Sequence, residues 1–366
     1  MIQVRGRSSP VWPVHPRPLP DELLSSWMTR IARANHTKVY SFYASYFGRE
    51  HQIWNRDIDK LAPDWLMDGL EAWTGLDRSE IERTTLRSYE GVLYEHHNPY
   101  GNTKWILPAG VYHRTRRRHG LVYCPLCLFE DAEPYFRKSW RLSFNTVCEH
   151  HGSRMLDACP KCDAPVVYFR RDLGHRRAHM VDSMVLCHQC SYDLRRGPAY
   201  DPPAPDGETL MHLRALITFR DMGWWFSGET THSYSIAFFD VLHHLATYLT
   251  SRLGRRLLEE AEKVMPRPMS NGAVYRRMGL DMRSVEERHQ LLLTALWLLM
   301  DWPRRFVGCY SATGLCMAQV TRSESFPYWF VRALQGQIWP FNKKALAKRL
   351  DGFYNISDIP EKAEIC

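Results

Sequence analysis

Four short pairs of metal-binding residues decide the fold of the central region. They are Cys124-Pro-Leu-Cys127, Cys148-Glu-His-His151, Cys159-Pro-Lys-Cys162 and Cys187-His-Gln-Cys190. A Cys-x-x-Cys pair places two thiolates on one tight turn, where they can take two corners of a zinc tetrahedron, and a second pair supplies the other two corners. The spacing therefore predicts two zinc sites in preference to scattered buried thiols or a disulfide scaffold.

The order of the pairs predicts which residues share an ion. Pairing of consecutive motifs gives one set of Cys124, Cys127, Cys148 and His151 and a second set of Cys159, Cys162, Cys187 and Cys190. Interleaved pairing fits the same spacing. His151 is preferred to His150 because it repeats the spacing of the other pairs. Four protein ligands leave no open coordination position, so we expect structural zinc rather than catalytic zinc.

Composition describes an ordered protein of two or three domains. The chain has 366 residues, of which 45% are hydrophobic and 24% are charged. Its longest strongly apolar stretch, residues 291–300, has half the length needed to cross a bilayer. No basic-led apolar segment opens the chain, so we expect a cytoplasmic protein with no membrane contact. In a reducing cytosol, paired cysteines indicate metal more often than disulfides.

Two arginine-rich runs are candidates for partner binding. Residues 113–119 precede the first cysteine pair, and residues 170–177 lie inside the second zinc loop. Basic patches on a zinc scaffold suit a phosphate backbone, although a solvated surface or a face for an acidic protein explains them equally simply. With two arginines that follow Pro134, the candidate binding residues are Arg114, Arg116, Arg117, Arg118, Arg137, Arg141, Arg170, Arg171, Arg176 and Arg177.

The apolar periodicity of the sequence and the positions of its Gly and Pro residues predict a mainly α-helical fold. We expect an extended Pro-rich arm (1–20), an N-terminal helical domain (21–112), a double zinc-binding region of zinc-ribbon or zinc-finger modules (113–197), a linker (198–208) and a C-terminal helical domain (209–366). The N-terminal domain contains a helix pair, 63–73 and 78–84, around Gly75. This outline is that of a helix-turn-helix, but any small helical bundle shows it.

Further helices follow from periodicity. Pro134 can start a helix with Phe136, Trp140 and Phe144 on one face and Arg137 and Arg141 on another. The clearest helical stretches of the last third are 210–220, 235–253, 285–300 and 328–334. Ser284-Val-Glu-Glu287 matches the capping-box motif at the start of the predicted helix 285–300.

The central motifs carry a family resemblance. Residues 123–131, 134–142, 148–152 and 159–162 resemble the zinc core of the TniQ/TnsD family, and residues 18–27 and 84–89 resemble segments that precede it. Together these segments cover about residues 15–195. Asp163 and Ser191 stand where such knuckles often have glycine in a left-handed conformation, which aspartate tolerates.

The resemblance implies a role in DNA transposition. Members of the family select the target site, so it implies a non-catalytic adaptor that recruits the transposon AAA+ ATPase and, indirectly, the transposase. The partner that provides the target would be DNA itself or an RNA-guided CRISPR complex of the Cascade type. A homodimer and a location at the nucleoid would fit this role.

The residues leave two other classes of function open. A zinc-containing transcription regulator would bind DNA without an ATPase partner, and a protein-binding scaffold would not contact DNA at all. An enzyme is not expected, because the chain has neither a Gly-x-x-x-x-Gly-Lys-Ser/Thr loop for nucleotide nor a His-Glu-x-x-His motif.

Overall fold

Helices dominate the computed structural model, which describes residues 11–112, 115–171, 173, 184–227, 231–267, 278–315 and 327–334. The described helices are α1 Leu24–Ala34, α2 Val39–Phe47, α3 Ile58–Leu61, α4 Asp64–Thr74, α5 Arg78–Glu82, α6 Pro125–Glu130, α7 Gly207–Met222, α8 Ser235–Leu249, α9 Gly254–Val264, α10 Val285–Met300, α11 Arg304–Ala312 and α12 Tyr328–Leu334. Two antiparallel hairpins pair β1 Val111–Tyr112 with β2 Thr115–Arg116, and β3 Trp224–Ser227 with β4 Thr231–Tyr234. The mainly α-helical fold class is thus confirmed.

Helices α1 and α2 open the N-terminal helical domain. Apolar residues of α1 recur at helical spacing, and Trp27 and Ile31 are fully buried. Gly48 ends α2 with a φ of +81°, which a residue with a side chain rarely adopts. The end of the Pro-rich segment, residues 11–20, lies against these helices, because Trp12 is buried and stacks on Trp73 of α4 at 5.4 Å between ring centroids.

The helix pair around Gly75 is present, but its surface is acidic. Gly75 has a φ of +71° and its N–H donates to the carbonyl of Glu71, which ends α4. Helix α5 has only five residues, and its Arg78 is bonded to Asp64, Asp68 and Glu82. The outline of a helix-turn-helix therefore exists here without a cationic helix that would favour a phosphate backbone.

The predicted helix from Pro134 does not form. Only a 3-10 turn, Lys138–Arg141, is found there. The reason is that the backbone of this segment bonds to the start of α1: Leu23 N–H donates to Phe136 O at 3.0 Å, and Lys138 N–H donates to Asp21 O at 2.6 Å. Because the segment is buried on every side, aromatic spacing alone did not indicate its conformation.

The C-terminal domain is a helical bundle whose centre is α10, and Leu291 to Leu299 are all buried. Ser284 caps α10 by accepting a hydrogen bond from Glu287 N–H at 3.3 Å, as the capping-box spelling predicts. Helices α9 and α11 and the β3–β4 hairpin were not predicted. Helix α9 has an apolar stripe that includes the buried Leu257 and Ala261, and the prediction from sequence missed it, whereas α11 has only nine residues.

Polar contacts join this bundle to the central region. Arg288 of α10 is fully buried and donates to the carbonyl oxygens of Ser143 and Arg283. Asp281 accepts from the Ser143 hydroxyl at 2.5 Å and pairs with His243 of α8 at 2.9 Å. These contacts fix the bundle against the cysteine-rich region, and one continuous apolar core runs through both.

Candidate metal centres and their surroundings

The first candidate centre is assembled by α6 and a following turn. Cys124 is the N-cap of α6, and Cys127 lies in its first turn. The Sγ atoms of Cys127 and Cys148 are 3.5 Å apart, and His151 Nδ1 lies 3.3 Å from Cys127 Sγ and 3.5 Å from both other sulfur atoms. Three thiols and one imidazole nitrogen thus point at a common centre.

The second ring nitrogen of His151 contacts a carboxylate. Its Nε2 atom lies 2.9 Å from Oε2 of Glu130, at the end of α6. A hydrogen bond from Nε2 fixes the proton there and leaves Nδ1 as a free electron pair for a metal. No local pattern indicates the role of Glu130, because its partner is 21 positions away.

The second candidate centre is made of cysteines alone. Cys159 and Cys190 have Sγ atoms 3.6 Å apart, and those of Cys162 and Cys187 are 3.7 Å apart. All ligand atoms within each cluster lie within 4.8 Å of one another. The structure therefore groups consecutive pairs, as the order of the motifs predicts, and not interleaved ones.

Three of the four pairs share one backbone turn. Gly152, Asp163 and Ser191 each follow the second ligand of a pair, with φ of +65°, +57° and +60°. Each of their N–H groups donates to the carbonyl of the first cysteine, at 2.8, 2.9 and 3.0 Å. The left-handed position is thus held by aspartate and serine in the second centre, which shows that glycine is not required there.

Both clusters have the geometry that zinc needs. With Zn–S bonds of about 2.3 Å, the edge of a tetrahedron between two sulfur atoms is about 3.8 Å. The observed separations of 3.5–3.7 Å are close to that edge. Cys₃His and Cys₄ are also donor sets typical of structural zinc. Each cluster could therefore hold one ion with all four positions filled by protein atoms.

Two of the candidate binding arginines are buried in ion pairs. Arg137 forms a two-point contact with Asp131, at 2.8 and 3.1 Å. Arg141 contacts Asp57 at 2.6 and 3.0 Å and Asp59 at 3.2 Å. Both guanidinium groups are engaged in ion pairs inside the protein, so the prediction that they bind a nucleic acid or protein partner is replaced by a structural role.

The carboxylates around Arg141 titrate differently. Burial is the largest influence on Asp57 and opposes its ionisation, but the charge and hydrogen bonds of Arg141, together with the charges of Arg116 and Lys60, hold the pKa of Asp57 below its usual value. Burial raises the pKa of Asp59 to about 6. Asp59 also accepts hydrogen bonds from the N–H and hydroxyl of Ser25, at 2.7 and 2.9 Å. This network joins α1, α3 and the cysteine-rich region, and its scattered acids had no pattern in the sequence.

The remaining arginines divide by exposure. Arg116 is half-buried and donates to the carbonyl of Arg56 at 3.0 Å. Arg170 is half-buried and Arg171 is buried. Arg117 and Arg118 are exposed, and the guanidinium of Arg117 lies 3.9 Å from the ring centre of Tyr112. The other predicted candidates, Arg114, Arg176 and Arg177, lie outside the described residues.

A comparison with known families finds a match over the N-terminal part of the chain. The TniQ family model matches residues 13–155, a range that includes α1 to α6 and all four ligands of the first cluster. No curated protein matches the chain. Within the part of the chain that the structure describes, no helix has both the length and the apolar character needed to cross a membrane.

Proposed function

From the premise that the chain carries a TniQ-family domain over residues 13–155, we propose that it is a non-catalytic adaptor which selects the target site in DNA transposition. It would link target DNA, or an RNA-guided CRISPR complex of the Cascade type, to the transposon AAA+ ATPase, and so bring the transposase to that place. The observation that carries this proposal is the family match across the N-terminal helices and the first metal cluster together.

We further propose two structural zinc ions for each chain. Residues Cys124, Cys127, Cys148 and His151 would hold one, and Cys159, Cys162, Cys187 and Cys190 the other. Bound zinc would supply cross-links between distant parts of the chain, because each cluster joins residues that are more than twenty positions apart. With all four positions taken by protein atoms, neither ion would have a place for substrate.

An adaptor must contact two partners at once, and separate surfaces are available. The C-terminal bundle carries exposed apolar side chains, including Met211 at 61% exposure and Tyr234 at 66%. Tyr234 stacks on Trp224 across the β3–β4 hairpin at 4.7 Å between ring centroids. Exposed aromatic and methionine side chains are enriched at protein interfaces. The TniQ domain instead exposes arginines, Arg117 and Arg118, on its β-hairpin side.

The test is a pull-down with purified protein whose zinc content has been measured. Target DNA fragments, the ATPase encoded beside it and any neighbouring CRISPR complex are tested in parallel, and sedimentation of the same sample reports whether it is a dimer. Capture of the ATPase together with DNA or the CRISPR complex supports the adaptor and identifies its targeting mode. Tight, specific DNA binding without capture of the ATPase would indicate a zinc-containing transcription regulator instead.

A further inference from the structure

A polar groove lies between the N-terminal helices and the segment that leads into the first metal cluster. It has a volume of about 550 Å³. Its lining includes Arg56, Lys60 and the turn before α3, together with residues 99–103, residues 106–111 and Arg118. The groove belongs to neither metal cluster, and its lining has three cationic side chains against one carboxylate, Asp57.

The carboxylate of Asp57 does not neutralise the cations of the groove, because it is already paired with a buried arginine. Asp57 is bonded at two points to Arg141, which is 4% exposed. Lys60 is buried, and its ammonium group donates to the carbonyl of Gly101. The two cations that face solvent at the groove are therefore Arg56 and Arg118, both exposed.

The aliphatic part of the Arg118 side chain lies close to Gly110, at the edge of the groove. A methyl group at Gly110 would lie 2.8–3.2 Å from the aliphatic carbons of Arg118, so the bare glycine lets this stem pass. Gly110 also has a φ of +56°, which favours glycine. Among the described residues, the guanidinium of Arg118 has no hydrogen-bond or ion-pair partner. A positioned, exposed and unpaired guanidinium is suited to an anionic ligand.

An aromatic side chain, that of Tyr100, also lines the groove. Tyr100 is 84% exposed, although it lies in a loop that is held in place on both sides. Its N–H donates to Oδ1 of Asn98 at 3.1 Å, and Lys60 holds Gly101. On the far side of the loop, the Nε2 atom of His97 lies 2.7 Å from the carbonyl oxygen of Lys60. An exposed tyrosine on an anchored loop, lining the same groove as two exposed arginines, suits unpaired bases that stack on the ring while their phosphates are neutralised.

We propose that this groove binds single-stranded nucleic acid, with phosphates at Arg56 and Arg118 and a base stacked on Tyr100. A base can stack on Tyr100 only when it is unpaired, so this arrangement favours a single strand over a duplex. This inference rests on the proposed function, because a target-selecting adaptor meets unpaired strands where DNA is opened by an RNA guide or by the insertion machinery.

The experiment measures binding of a fluorescein-labelled oligothymidine to the full chain by fluorescence anisotropy at several salt concentrations. We expect Arg118→Ala to lower the affinity and to reduce the slope of log K against log salt by about 0.7, the value for one phosphate contact on a single strand. Tyr100→Ala should weaken binding about 5- to 150-fold, the range for loss of one stacked base, whereas Tyr100→Phe keeps the ring and the affinity.

Arg256→Ala is the matched control, because Arg256 is an exposed arginine on α9 in the C-terminal bundle. Equal affinity and salt slope for wild type, Arg118→Ala and Tyr100→Ala would overturn the proposal. So would tighter binding of the corresponding duplex with the same sensitivity to these variants. Capture of the ATPase by the same proteins is scored separately, so a failure of the adaptor role and a failure of the groove give different results.

Discussion

His151 belongs to the first candidate metal cluster and also contacts Glu130. Its Nδ1 atom lies 3.3–3.5 Å from three cysteine sulfur atoms, and its Nε2 atom lies 2.9 Å from Oε2 of Glu130. A carboxylate in this position fixes the imidazole orientation and raises its basicity as a ligand.

Glu130→Ala should therefore weaken zinc binding at the first cluster. Loss of such a partner lowers metal affinity about 10- to 100-fold, and we expect the lower end because the Glu130 side chain is 64% exposed. Competition with a chromogenic chelator measures the effect. Glu149→Ala is the control, since Glu149 pairs with His150 and not with a ligand. An equal loss of affinity in both variants would show that Glu130 does not act through His151.

Cys124→Ser and Cys159→Ser should each remove one zinc and unfold part of the central region. Metal binding and folding form one equilibrium in sites of this kind. The free energy of zinc binding there is about 10–16 kcal/mol. Metal analysis should fall from two ions to one, and limited proteolysis should cut within residues 113–197. Cys309→Ser is the control, because Cys309 is buried outside both clusters and should leave two ions in place. A folded, fully active Cys124→Ser protein without zinc at that site would contradict a structural role.

The clustering of the cysteine and histidine pairs could be predicted from the sequence because their geometry is local. Each pair spans four residues, and the turn that joins them is set by the backbone, as the positive φ of Asp163 and Ser191 shows. The helices around them were predicted for a similar reason. Periodic apolar residues in α1 and α10 reflect one-sided or complete burial within a single element.

The roles of the arginines could not be predicted in the same way. Arg141 and its partner Asp57 are 84 positions apart, so nothing in the local pattern separates this buried ion pair from an exposed cation. The aromatic spacing after Pro134 also suits a helix, but the backbone there bonds to residues 21–23 instead. Long-range contacts of this kind outweigh local preference, and only the three-dimensional structure contains them.

Arg141→Ala should destabilise the protein strongly. Removal of the guanidinium takes the nearest countercharge from the partly buried Asp57 and the buried Asp59, and breaking a buried pair typically costs about 3–5 kcal/mol. Chemical denaturation measures the free energy of unfolding. The triple change Arg141→Met, Asp57→Asn and Asp59→Asn should recover much of the loss, because it removes the buried charges together. Arg117→Ala, at an exposed arginine, should change stability by less than about 0.5 kcal/mol.

Comparable losses for Arg141→Ala and Arg117→Ala would show that the buried network contributes no special stability. Loss of DNA binding in an Arg141→Ala protein of unchanged stability would instead restore Arg141 as a contact residue.

Acidification should loosen the contact between α10 and the central region through His289. This side chain is 1% exposed, its Nδ1 lies 3.0 Å from Thr146 Oγ1 and its Nε2 lies 2.7 Å from the carbonyl oxygen of Pro203.

Burial lowers the pKa of His289 to about 4, the bond to Pro203 opposes this, and the charges of Arg154 and Glu286 act in opposite directions. The folded state thus binds fewer protons than the unfolded state, whose histidine has a pKa of about 6.5. The contribution to stability is complete above pH 6.5 and decreases as the pH falls towards 4, by up to about 3 kcal/mol in total.

Denaturation between pH 7 and 5 should show a shallower pH dependence for His289→Gln than for wild type. The control His96→Gln, at an exposed histidine, should follow wild type, and loss of zinc at low pH affects all three proteins alike. Identical slopes for wild type and His289→Gln would show that this histidine does not bind a proton on unfolding.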